Sequence, residues 1–126
     1  MQIKESAENY LETILMLKNT RGYVRSVDIA NALGFSKPSV SVAMKHFRAE
    51  GLIVTAEDGS IALTEKGMEI ASTIYTRHQL IASFLMHIGV SEQTAYEDSC
   101  KLEHDISAET FEKLRTWMEK QKENNL

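Results

Sequence analysis

Three side-chain types that bind metals stand together in one pentapeptide. In Cys100-Lys101-Leu102-Glu103-His104 a thiol, a carboxylate and an imidazole occupy positions i, i+3 and i+4. On a helix this spacing places them on one face, a turn apart. A soft thiolate beside a hard carboxylate and an imidazole suits a first-row divalent ion, and the set is too mixed for a calcium site. Taken singly, each has a blander reading: Cys100, the chain's one cysteine, as a small buried hydrophobe, and His104 as an ordinary core or surface histidine. Together they weigh toward ligation. Three donors from one helix cannot fill an octahedral shell, so others must arrive from elsewhere in the chain.

Two further stretches offer donors. The N-terminal region carries Glu8, Asn9 and Glu12, with Asn9 and Glu12 one helical turn apart. His78 stands midway along an apolar run, after Ile74-Tyr75 and before Leu80-Ile81. A histidine in such a place needs a partner, which a metal, a carboxylate or water at the surface could supply. His46 and His87 read as structural or surface residues.

These donors need elements to hold them. Tyr10, Leu11, Ile14, Leu15 and Leu17 recur at helical spacing behind Ser6, predicting a first helix over 5–19 with Ser6 as its cap. Ser26 is expected to cap a short second helix over 27–33, which Gly34 ends. Ser36 caps a third, with Lys37 and Pro38 in its first turn, where a missing N–H costs nothing, and with Val40, Ala43, Met44 and Phe47 facing inward. After Gly51, apolar residues at 52–55 and 61–63 flank Glu57-Asp58-Gly59-Ser60, a strand, tight turn and strand. Thr64 then caps a long helix to residue 88, closed by Gly89. Ser91 caps a helix to 105, and Ser107 caps a last one that fades into a polar tail over 119–126.

A short helix, a glycine turn, a second helix and a hairpin make a winged helix-turn-helix, whose second helix enters the DNA major groove. The outward side of the third helix carries Ser36, Lys37, Ser39, Ser41, Lys45 and Arg48. Small hydroxyls near a positive helix N-terminus suit close approach to phosphates and base edges, and the long cations suit the flanking backbone. Pro38 or Val42 could contact a thymine methyl, and Arg25 adds a cation just before the second helix. The plainer reading is a solvated face with a normal share of charge; the wing that follows weighs against it.

Charge distribution agrees. The whole chain of 126 residues carries a net charge of −4, which alone argues against a nucleic-acid partner. Yet between Lys18 and Ile53 there are six basic residues against two acidic ones, while from Gly89 onward nine acidic residues face five basic. A local basic face can serve phosphate contact, because the nearby field outweighs the total.

Composition narrows the class. With 43% hydrophobic and 25% charged residues, the chain fits one domain or two small lobes and leaves no room for a separate large enzyme domain. No apolar stretch approaches a membrane span, and MQIKESAENY has no basic segment leading into an apolar core, so a soluble cytoplasmic protein is expected. A lone cysteine excludes an internal disulfide. A metal-hydrolase or thiol enzyme built on Cys100 and His104 lacks a Gly-rich oxyanion loop, a nucleophile elbow and an H-E-x-x-H pair. The stronger rival is a winged-helix regulator or interaction module that no metal controls.

The chain resembles the diphtheria toxin repressor and manganese transport regulator family, also called the iron-dependent repressor family, along nearly its whole length. The carrying stretches are Glu8-Asn9-Tyr10-Leu11-Glu12-Thr13-Ile14, Val27-Asp28-Ile29-Ala30, Lys37-Pro38-Ser39-Val40-Ser41, Leu63-Thr64-Glu65-Lys66-Gly67, Arg77-His78 and the run from Cys100 to Ser107. The resemblance implies a mainly α protein with a winged helix-turn-helix over 1–63 and a helical metal-binding and dimerisation lobe over 64–126. It implies a homodimer joined through its C-terminal helices, acting on a palindromic operator in double-stranded DNA to repress metal-uptake genes, with no membrane or organic small-molecule substrate.

Carried over, the family's ligand positions fall on Asn9, Glu12, His78, Cys100, Glu103 and His104. Iron-responsive members place methionine at the position of Asn9 and cysteine at that of Cys100, whereas manganese-responsive members place aspartate and glutamate there. Glu12 follows the manganese branch and Cys100 the iron branch. Asn9 follows neither and offers only a carbonyl oxygen. Ala82 and Tyr96 stand where the iron branch's accessory site has ligands, and its third, SH3-like domain is absent. The thiolate favours iron(II), with manganese(II) next, at one or two ions per subunit.

Overall fold

A computed structural model describes residues 5–124. They form two compact units that divide between Ile74 and Tyr75. The expected Ser6 cap, a side chain at the very start of the first helix, and the last two residues of the polar tail lie outside what is described. Among the described residues no helix is long and apolar enough to cross a membrane.

The first unit contains α1 (Glu5–Arg21), α2 (Ser26–Leu33), α3 (Lys37–Ala49), β1 (Ile53–Thr55), β2 (Ile61–Leu63) and the start of α4 (Glu65–His87). Leu11 and Ile14 of α1, Ile29 of α2, Val40 of α3, Val24, and Leu52 with Ile53 at the wing are almost wholly removed from water. Burying side chains of this size stabilises the fold by about 1.5–3 kcal/mol each. Tyr10 packs edge-on against Phe35 and Phe47, at 5.5 and 5.8 Å between centroids, which locks α1 to the helix pair.

Local chemistry sets the boundaries. Gly34 adopts a left-handed conformation at φ 70°, and its N–H and that of Phe35 both donate to the Ala30 carbonyl, ending α2 and setting the turn into α3. The Ser36 hydroxyl accepts from the Ser39 N–H at 3.3 Å, as a cap should. At α2 the expectation needs correction: Arg25, not Ser26, is the cap residue, and the Asp28 carboxylate reaches back to accept from the Arg25 N–H at 2.9 Å. A carboxylate three positions into a helix satisfies the same orphan donor, so Ser26 joins the first turn.

The wing is one antiparallel pair with Ile53 opposite Leu63, Val54 opposite Ala62 and Thr55 opposite Ile61. Leu52 falls outside the strand because its N–H donates to the Phe47 carbonyl and its own carbonyl accepts from Thr64. The Ile61 N–H donates to the Val24 carbonyl at 2.7 Å, pinning the wing to the segment before α2. Thr64 caps α4, accepting from the Gly67 N–H at 3.1 Å while donating to the Gly51 carbonyl. Gly67 is required here, since a Cβ at this position would lie 2.0 Å from the Leu52 carbonyl oxygen.

The second unit comprises the rest of α4, α5 (Glu92–Asp105) and α6 (Ala108–Asn124). Ser91 caps α5 by accepting from the Thr94 N–H, and Ser107 caps α6 by accepting from Thr110. Ile81, Ala82, Ala95 and Met118 form its core, and Trp117 meets the edges of Phe84 and His87 at 5.6 and 5.3 Å. Among the described residues the architecture is mainly helical with one two-stranded sheet, as expected.

Candidate functional site

In the first unit, α3 turns a buried edge of Val40, Met44 and Phe47 toward the core, with Ala43 half-buried beside it, and presents the rest to water. Ser36, Lys37, Pro38, Ser39, Ser41, Val42, Lys45 and Arg48 are all exposed, as is Arg25 ahead of α2. Arg48 donates to the Thr55 hydroxyl at 3.2 Å, tying the end of α3 to the first strand of the wing. The Arg25 guanidinium lies 5.9 Å over the Tyr23 ring, a cation–π contact that holds it extended at the surface. Ser36 also donates to the Ser39 hydroxyl at 2.8 Å, which organises the hydroxyl cluster at the helix N-terminus. His46 is exposed on the same helix.

The wing tip has the opposite polarity. Glu57 and Asp58 are exposed there. Hydrogen bonds from the Ser60 hydroxyl and amide, at 2.7 and 2.9 Å, hold the Asp58 carboxyl below its ordinary value. A tip that stays anionic repels phosphate, so affinity for a polyanion must come from α3 and its flanks.

In the second unit, α5 carries Cys100, Glu103 and His104 on one face. Cys100 and His104 are half-buried, and Glu103 is only 4% exposed. His78 on α4 is half-buried, and its Nε2 lies 3.0 Å from the Tyr96 carbonyl oxygen on α5. A carbonyl can only accept, so Nε2 carries the proton in this contact. The same carbonyl accepts from the fully buried Ser99 hydroxyl at 2.9 Å, and the Tyr96 ring meets the His78 ring edge-on at 5.9 Å. An imidazole oriented through its other nitrogen by a backbone carbonyl is how proteins commonly fix a metal-binding histidine.

The sequence reading named Arg77 only within the family resemblance, without a role, and did not name Ser99. Arg77 donates from Nη2 to the Glu103 carbonyl at 3.4 Å, and its guanidinium lies 4.8 Å over the Phe111 ring, joining α4, α5 and α6. A cation in an apolar helical run directly before His78 was the available signal. Of the remaining candidates, Asn9 and Glu12 lie on α1, Asn9 half-buried and Glu12 6% exposed. Ala82 is buried within the second unit's core and has no donor to offer.

The donor set fits a divalent transition ion. Cys100, Glu103 and His104 provide sulfur, oxygen and nitrogen from one helical face, with His78 oriented onto the same helix, and the buried Glu103 carboxylate is a group that a cation stabilises.

Comparison with known proteins follows the same division. Residues 2–61 match the family described as the iron dependent repressor, N-terminal DNA binding domain, and residues 64–125 match its metal binding and dimerisation domain. An uncharacterized HTH-type transcriptional regulator of Methanocaldococcus jannaschii is 36% identical over 123 residues, covering 96% of this chain and 98% of that protein. The transcriptional regulator MntR of Escherichia coli O157:H7 is 34% identical over 117 residues, covering 93% of this chain and 76% of that one. The solved structure of the manganese regulator SloR superposes with a TM-score of 0.74 at 30% identity over 94% of this chain. That of T. acidophilum IdeR has a TM-score of 0.81 at 24% identity, a likeness of fold. This chain spans 55% of each of those two structures. The relatives are transcriptional regulators, not enzymes.

Proposed function

Because the chain belongs to the iron-dependent repressor family of metal-dependent transcriptional regulators, we propose that it acts as a cytoplasmic homodimeric repressor of metal-homeostasis genes, switched by a divalent transition ion. Residues 1–63 would read the operator and 64–126 would bind metal and dimerise. The observation that carries the metal half is the α5 face, where Cys100, Glu103 and His104 share one side of the helix with Glu103 almost wholly buried.

Asn9, Glu12, His78, Cys100, Glu103 and His104 are the proposed ligands. Glu12 and Glu103 would give a bound ion its carboxylate oxygens, and the ion would supply the positive charge that lets such buried carboxylates stay ionised. His78 contributes Nδ1, the Tyr96 carbonyl keeps its other nitrogen protonated, and Arg77 steadies the turn that bears Glu103. In the paired protein, two α3 helices would then meet successive major grooves of a palindromic site, roughly 34 Å apart. Ser36, Lys37, Pro38, Ser39, Ser41 and Val42 face the bases and nearby phosphates. Arg25, Lys45 and Arg48 grip the backbone.

The Cys100 thiolate favours iron(II). Manganese(II) is the second reading, supported by the likeness to the manganese regulator SloR. Fluorescence anisotropy of a labelled palindromic duplex, titrated anaerobically with iron(II), manganese(II) and a chelator, tests the proposal. Binding that requires metal and is abolished by chelator supports it and ranks the ions. Binding indifferent to metal would leave a winged-helix regulator without a metal switch.

A further inference from the structure

The outward ridge of α3 is apolar at its centre. Val40, Met44 and Phe47 fix the inward direction of this helix. At about 100° per residue, the direction opposite them falls between Ala49 and Val42, with Pro38 within about 40° of Val42. Val42 is 59% exposed, among the most exposed large hydrophobics of the described residues, and Pro38 and Ala49 are exposed as well. Polar side chains flank this ridge, with Ser41 and Lys45 on one side and Ser39 and His46 on the other.

A scattered exposed valine needs no explanation. This one is the largest side chain of the ridge that points away from the core, on the helix the fold presents to DNA. There a long polar side chain would hydrogen-bond a base edge. A branched hydrocarbon can recognise only one feature of the major groove, the 5-methyl group of thymine. The anionic wing tip sharpens the point, because it leaves α3 to carry both affinity and discrimination.

Resting on the DNA-binding reading above, we propose that Val42 is a specificity-determining residue that selects thymine through its methyl group at one symmetric position of each operator half-site. Pro38, a turn earlier, extends the same apolar contact. The cationic side chains Lys45 and Arg48, beside the ridge, set affinity without distinguishing bases.

The test begins with duplexes enriched from a random-sequence pool by the full-length protein in manganese(II). In the enriched site each thymine is replaced singly by uracil, which keeps every hydrogen-bonding group and removes only the methyl. Wild-type affinity is expected to fall about 3- to 5-fold at one symmetric pair of positions, the loss per buried methyl. V42A should lose that sensitivity at those positions and nowhere else, and V42I should keep it. Circular dichroism of each variant should match the wild type, as expected for an exposed position. If every thymine tolerates uracil, or V42A retains the full sensitivity, the assignment of Val42 is wrong while the DNA-binding reading stands. If no sequence is enriched and no metal-dependent binding is seen, the DNA-binding reading fails and the assignment falls with it.

Discussion

The two units handle polar chemistry in opposite ways. On α3 the candidate functional side chains point outward into water, whereas on α5 the key carboxylate is withdrawn from it, with Glu103 4% exposed against 59% for Val42. The difference follows from the partners. A DNA duplex is a large polyanion met at a surface, so its contacts must be displayed and are individually weak. A metal ion is a point charge that binds tightly only where several donors converge and solvent is excluded. Displayed chemistry tolerates substitution, and buried chemistry does not.

Substitutions can break this contrast, and the largest effect should come from the buried side of the reading helix itself. Phe47→Ala, removing a core ring that packs on Tyr10, should cost about 3–5 kcal/mol in denaturant unfolding, whereas Val42→Ala on the opposite face should stay within about 0.5 kcal/mol. Equal losses would mean that α3 is oriented differently. Next, Glu103→Gln should remove metal-stimulated operator binding, a coupling of about 1–3 kcal/mol, while leaving the weak binding seen with chelator unchanged. Undiminished metal stimulation would remove Glu103 from the ligand set.

How much of this was legible in the sequence depended on the range of the interaction. Caps at Ser36, Ser91 and Ser107 use partners three residues away and could be read directly. The cap of α2 could not be assigned from Ser26 alone, because the Asp28 carboxylate competes for the same role. The α5 triad was legible because its members share a helix. The orientation of His78 was not, since its partner is the Tyr96 carbonyl eighteen residues on, a backbone group that no side-chain pattern announces. The need for Gly67 was hidden likewise, being set by the Leu52 carbonyl across the start of α4.

Smaller effects refine the surface side of the comparison. Lys45→Ala should weaken binding to all duplexes alike and reduce the slope of log affinity against log salt by about 0.9, the contribution of one phosphate contact. A sequence-dependent loss would move Lys45 from backbone grip to base reading. At the wing, the lowered Asp58 carboxyl stabilises the folded state above its ordinary value of 3.8. That contribution disappears as pH falls through the lower folded value. Ser60→Ala, which removes the largest cause of the shift, should therefore lower the melting temperature slightly at neutral pH and leave it unchanged at the acid end of the profile. A loss that persists undiminished at the acid end would point to a packing role for Ser60.

The central claim is that metal and DNA are thermodynamically coupled, and coupling is reciprocal. Manganese(II) affinity of the full-length protein should be measured with and without its enriched operator duplex. Metal should bind about 5- to 150-fold more tightly in the presence of the duplex, by the same factor with which metal tightens DNA binding. Identical metal affinity in both conditions would contradict the account.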